Sequence, residues 1–121
     1  MFDTGALIAL ERGRLGMREV HRLSTEHGYE MVATTPVIAE WWRKGKREKE
    51  RMKLLRTFVV EPPDAYIARL AGAAIGLVGA GVVDALVMAS ASLRGDTVYT
   101  SDMRDFERLR DVFPNVHLEP V

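Results

Sequence analysis

Short apolar or β-branched runs at residues 31–34, 57–60, 97–100 and 116–118 are each separated from the next by a stretch of helical pattern. Such alternation leaves little choice of architecture. A strand that leads through a helix into another strand returns by a crossover, so the strands run parallel and helices cover both faces of the sheet. Residues 1–3 supply a further strand stub. Helices are expected at 4–11, ending near Gly13, and at 15–27, stopped by Gly28. Another opens at Thr35-Pro36, with a capping hydroxyl and a proline in the first turn. The rest fall at 48–56, from Asp64 as cap to 77, at 82–93 after the Gly79-Ala80-Gly81 break, and at 103–112. In open parallel sheets, ligands bind beyond the carboxyl ends of the strands. Asp3 and Asp102 each follow a strand, so both are expected at that edge.

With 121 residues, 47% of them hydrophobic, the chain suits one globular domain over 1–121, and it carries no repeat or linker. The uncharged segment 70–83 is far shorter than the ~20 apolar residues of a spanning helix. No membrane segment is therefore expected. No basic region followed by an apolar core opens the chain, so a cleaved secretion signal is not expected either. The absence of cysteine excludes disulfides, thiolate metal sites and cysteine nucleophiles, and is compatible with a reducing cytoplasm. The formal net charge is zero, so no global basic field advertises nucleic-acid binding. Locally, residues 43–53 hold seven basic residues against two glutamates. Arg43, Lys46 and Arg47 can meet phosphates there, although the same run also reads as a solvated helix with Lys44/Glu48 and Lys46/Glu50 pairs.

Asp84 is the most informative acid, being the only ionisable side chain between Arg69 and Arg94. A carboxylate in so apolar a helix needs a partner. That partner is either the backbone amides of the helix's first turn or a cation. Taken singly, Asp102 and Asp3 read as helix caps, and Glu40 as a solvated glutamate beside the Val37, Ile38, Trp41 and Trp42 face. Taken together, four carboxylates at one sheet edge repel one another unless a cation neutralises them. Oxygen-only ligands point to Mg²⁺ or Mn²⁺, the ions of metal-assisted phosphodiester hydrolysis. Thr4 and Ser101 lie next to acids and can either orient waters or cap helices.

The segments FDTGALIALERG, TTPVIAEWWRKG, VVDALVMASA and VYTSDMRDF resemble, in order and spacing, the four acidic motifs of PIN domains, above all the VapC-type toxins of toxin–antitoxin pairs. The resemblance implies a three-layer α/β/α sandwich around a five-stranded parallel sheet. It also implies Mg²⁺ or Mn²⁺, and cleavage of RNA. It carries the conserved acids onto Asp3, Glu40, Asp84 and Asp102, with Thr4 and Ser101 as hydroxyl neighbours and Asp105 as an auxiliary acid. A homodimer and a small antitoxin protein are the partners it implies. Two other readings compete. The Asp3-Thr4-Gly5 triplet is also the signature of dimeric aspartic proteases, which are all-β. A PIN fold can also serve as a noncatalytic module that binds RNA or protein. The tandem Trp41-Trp42 suits either a partner groove or the core, and the three histidines show no ligand spacing.

Overall fold

The computed structural model describes residues 1–42 and 47–121. In chain order the elements are α1 (Thr4–Glu11), α2 (Leu15–His27), β1 (Val32–Thr34), α3 (Thr35–Trp42), α4 (Glu48–Leu55), β2 (Val59–Glu61), α5 (Ala65–Val78), α6 (Val82–Ser92), β3 (Thr97–Thr100), α7 (Met103–Arg110) and β4 (His117–Pro120). The expected α/β class is found, and an all-β protease architecture does not match it.

The local signals act as their chemistry requires. Gly28 and Gly79 close α2 and α5 at φ of 70° and 71°, left-handed values that cost a residue without Cβ nothing. Asp64 caps α5, its Oδ1 accepting from the Ile67 amide at 2.9 Å. Two strands are displaced from their expected limits. The amides of Thr57 and Phe58 are consumed in the turn that closes α4, donating to the Leu54 and Leu55 carbonyls at 2.9 and 3.1 Å. Pairing therefore starts at Val59. In the same way the Val116 amide donates to Phe113, and β4 begins one residue later than the apolar run suggests.

All strand pairing is parallel, β1 with β2 and β3 with β4. The described residues thus form two two-stranded sheets rather than the continuous five-stranded sheet the resemblance implies. Residues 1–3 lie between the pairs. The Phe2 amide donates to the Val32 carbonyl at 2.9 Å on one side, while Tyr99 N donates to Met1 O at 2.9 Å and Asp3 N to Tyr99 O at 3.1 Å on the other. This segment forms an isolated bridge, Phe2 with Tyr99, instead of a ladder.

Phe2 anchors that junction from the core. It is 1% exposed and meets Phe58 edge to face at 5.0 Å and Tyr99 at 5.3 Å. The helix α6 packs on β1 and β3 through a face that buries Val87, Met88 and Ala91, and α7 adds Phe106 and Leu109. Burial of this apolar surface, at about 25 cal/mol per Å², is what holds α6 and with it Asp84 against the strand ends. Among the described residues no helix is long and apolar enough to cross a membrane.

Candidate metal centre

Asp3 ends the N-terminal segment and is 4% exposed. Its Oδ1 accepts from the Ala6 amide at 2.7 Å, so it does cap α1. The Thr100 hydroxyl and the Ser101 amide also donate to this carboxylate. Burial pushes its pKa up, the three hydrogen bonds pull it back, and the nearby Asp102 adds to the rise. One helix along, the Thr4 hydroxyl donates to Glu40 Oε1 at 2.6 Å, tying the first turn of α1 to the last turn of α3.

Asp84 stands in the first turn of α6, the position where backbone amides were one possible partner. Among the described residues no hydrogen bond stabilises it. Desolvation and then the charges of Asp3, Asp102, Glu40 and Asp105, in that order, drive its pKa up to about 6. Every one of those charges has the same sign. Asp102 occupies the N-cap position of α7 without a capping side-chain bond, and its own amide is held by Thr100 Oγ1 at 2.9 Å. The helix-cap explanation thus applies to Asp3 and not to Asp84 or Asp102.

Among the described residues, the carboxylates whose oxygens converge within 4.8 Å are those of Asp84, Asp102 and Asp105. Asp105, the auxiliary acid, therefore belongs to the tightest group, while Asp3 and Glu40 border it. Arg108 holds Asp105 at 2.7 Å, lowering its pKa, and also donates to the Val78 carbonyl at 2.6 Å. This links α7 to the end of α5. The donor set fits a hard divalent cation: all its donors are carboxylate oxygens, and among the described residues no cation or hydrogen-bond donor meets Asp84.

Two residues that build the site escape the sequence reading. A Cβ at Gly5 would lie 1.8 Å from Ser101 Oγ and 2.8 Å from Ser101 Cβ. Only glycine lets α1 close on the loop after β3, which brings Asp3 and Asp102 together. The triplet Asp3-Thr4-Gly5 carried that signal, but the contact it serves is ninety-six residues distant. Thr100 is fully buried and its one hydroxyl serves both Asp3 and the Asp102 amide. In sequence it reads merely as a β-branched strand residue.

The basic run fares differently. Arg43 and Lys46 lie outside the described residues, as do the Lys44/Glu48 and Lys46/Glu50 pairs. Arg47 has a left-handed backbone, φ 62°, ahead of α4. Arg51, from the same run, is neither solvated nor on an exposed face. It is 6% exposed, its Nε donates to Glu11, and its guanidinium lies 5.8 Å from the ring centroid of Trp41. Trp41 is itself 2% exposed, so this tryptophan packs in the core.

An α/β fold with a carboxylate cluster at the strand ends defines a class, and the comparisons give it a name. The PIN-domain family profile matches residues 1–112, and the chain belongs to the PIN-domain family. Among solved structures, it is similar to a chain of VapBC2 from Rickettsia felis, crystallised on a DNA fragment from the promoter. That match has a TM-score of 0.77 at 18% identity, over 100% of this chain and 97% of the other. DNA-bound VapBC from Salmonella typhimurium matches with a TM-score of 0.75 at 20% identity, over 99% and 96%. Among curated proteins the sequence finds no match.

Proposed function

We propose that this chain, one PIN domain over 1–121, is a metal-dependent endoribonuclease, the toxin of a toxin–antitoxin pair. The observation that carries the reading is Asp84: partly buried, without a hydrogen-bond donor among the described residues, and repelled by four further carboxylates. Membership of the PIN family and likeness to chains of VapBC complexes support it.

In this reading Asp3, Glu40, Asp84 and Asp102 hold Mg²⁺ or Mn²⁺, with Asp105 as auxiliary acid. When bound, the ion supplies a nucleophile at neutral pH and offsets charge on the phosphoryl oxygens. The remaining work belongs to the chain. Thr4 orients Glu40, Thr100 and the Ser101 amide orient Asp3, and Arg108 keeps Asp105 in place. Each positioning bond reduces the rearrangement needed when the substrate arrives.

The partners proposed are RNA as substrate, a second copy of the chain, and a small antitoxin, in a reducing cytoplasm. Leu77 and Val82, 74% and 62% exposed at the turn between α5 and α6, supply apolar surface for the second copy. The decisive experiment incubates purified protein with mixed RNA and Mg²⁺ or Mn²⁺, with and without EDTA, beside Asp84→Asn. Cleavage that EDTA abolishes and the variant lacks, by about 100-fold or more, is the expected result. RNA binding without cleavage at any metal concentration would make the chain a noncatalytic module instead.

A further inference from the structure

The carboxylates that attract a cation also repel a polyanion. One divalent ion offsets only part of that charge, so an RNA strand needs cationic side chains beside the cluster. A cavity of about 200 Å³ supplies them. At one end it is lined by Gly5 and Ser101, the pair whose close approach joins Asp3 to the Asp102 turn. At the other end stand Arg12 and Arg14, just past the last turn of α1, with Ile8 and Ala9 as its wall. Val121 completes the lining, which among the described residues includes no acidic side chain.

The two arginines differ from others near the site in what they touch. Arg51 is neutralised by Glu11, and Arg108 by Asp105. Arg12 and Arg14 are exposed and make no ion pair among the described residues. Arg12 also borders the 140 Å³ cavity lined by Thr4 and Glu40, so it flanks α1 on two sides.

We propose that this cavity is the seat of a backbone phosphate of the RNA strand next to the one being cut, with Arg12 and Arg14 as its ligands. The inference rests on the nuclease reading of the acid cluster and adds to it the path of the strand. Guanidinium groups suit the role because their planar fork meets phosphate oxygens in pairs. The path then runs off the end of α1 and past Ser101, independent of the basic run that precedes α4.

The test measures binding apart from cleavage. A fluorescently labelled single-stranded RNA is titrated in EDTA across a salt series with wild-type protein and with Arg12→Gln/Arg14→Gln. Loss of two phosphate contacts should flatten the slope of log affinity against log salt by about 1.4, at roughly 0.7 per contact on a single strand. Cleavage of a dinucleotide, which has no flanking phosphate, should be unchanged, and Arg12→Lys/Arg14→Lys should restore most of the slope. An unaltered slope, or a dinucleotide rate that falls with the rest, overturns the proposal. So does a variant that keeps its RNA slope and loses affinity for poly-glutamate, which would give the arginines to an acidic protein partner. Wild type that binds RNA with the arginine-dependent slope but cuts neither substrate would remove the nuclease reading while leaving the phosphate site standing.

Discussion

Where α1, α3 and α4 meet, Glu11 and Arg51 are both buried, bonded to each other and packed under Trp41. At the N-terminus of α6, Asp84 is partly buried among carboxylates alone. Both places lie along α1, one at each end of it. The first is electrically closed: removing either partner strands a charge, and nothing else is needed to keep the pair. The second is open, since the folding of the chain gathers like charges and leaves their compensation to something outside it. A region built for stability neutralises what it buries. Uncompensated like charge, rather than burial, sets the two places apart, because by exposure Arg51 is the more deeply buried of the two.

The contrast can be broken at either end. Arg51→Met should be the most damaging change, costing about 3–5 kcal/mol as the Glu11 carboxylate loses its partner, read as a fall in the denaturant midpoint. Glu11→Gln combined with Arg51→Met should recover a large part of that loss. If the single variant melts like wild type, the pair is not closed in the sense described. Gly5→Ala comes next, at about 1–3 kcal/mol, because the added methyl must move the Ser101 turn. Its sharper readout is Mn²⁺ affinity by calorimetry, expected to drop with the displaced Asp102, whereas unchanged affinity would show that α1 and the turn move independently of the acids.

The smallest expected effect has the opposite sign. In metal-free protein, burial and like charges hold the Asp84 pKa at about 6 against an ordinary 3.8. The folded state therefore binds the extra proton between those values, and stability falls as pH rises through that window. The full displacement would be worth about 3 kcal/mol, which solvent access reduces to roughly 1–2 kcal/mol. Asp84→Asn should thus be stabler than wild type by that amount at pH 7 in EDTA. The advantage should vanish below about pH 4 and shrink when Mg²⁺ is added to the wild type. Thermal melts across pH with and without Mg²⁺ check this, and a variant that is less stable at pH 7 would mean that Asp84 has a donor.

Much of the fold was legible because it depends on local chemistry. Helix stops at Gly28 and Gly79, the Asp64 cap and the β-branched run 97–100 act within a few residues of themselves. The isolation of Asp84 in an apolar stretch is equally local, and its carboxylate lies close to those of Asp102 and Asp105. What was illegible depends on contacts between distant segments. Arg51 sits in a run whose composition suggests solvent, and its partner is forty residues away. Asp105 entered the reading through family resemblance alone, since an acid in the first turn of a helix commonly favours the dipole and nothing more. The strand limits at 59 and 117 shifted because turns claimed the preceding amides, a competition that hydrophobic pattern does not record.

The placement of residues 1–3 between the two strand pairs bears on how the acid cluster is assembled. The amides and carbonyls that seat the Asp3 segment belong to Val32 and Tyr99, and Asp102 follows the second of these strands. The carboxylates consequently gather only when segments ninety-six residues apart, Asp3 and Tyr99, have met. Contacts of such sequence separation carry a large loop-closure cost, so the acid cluster depends on the long-range fold rather than on any one segment.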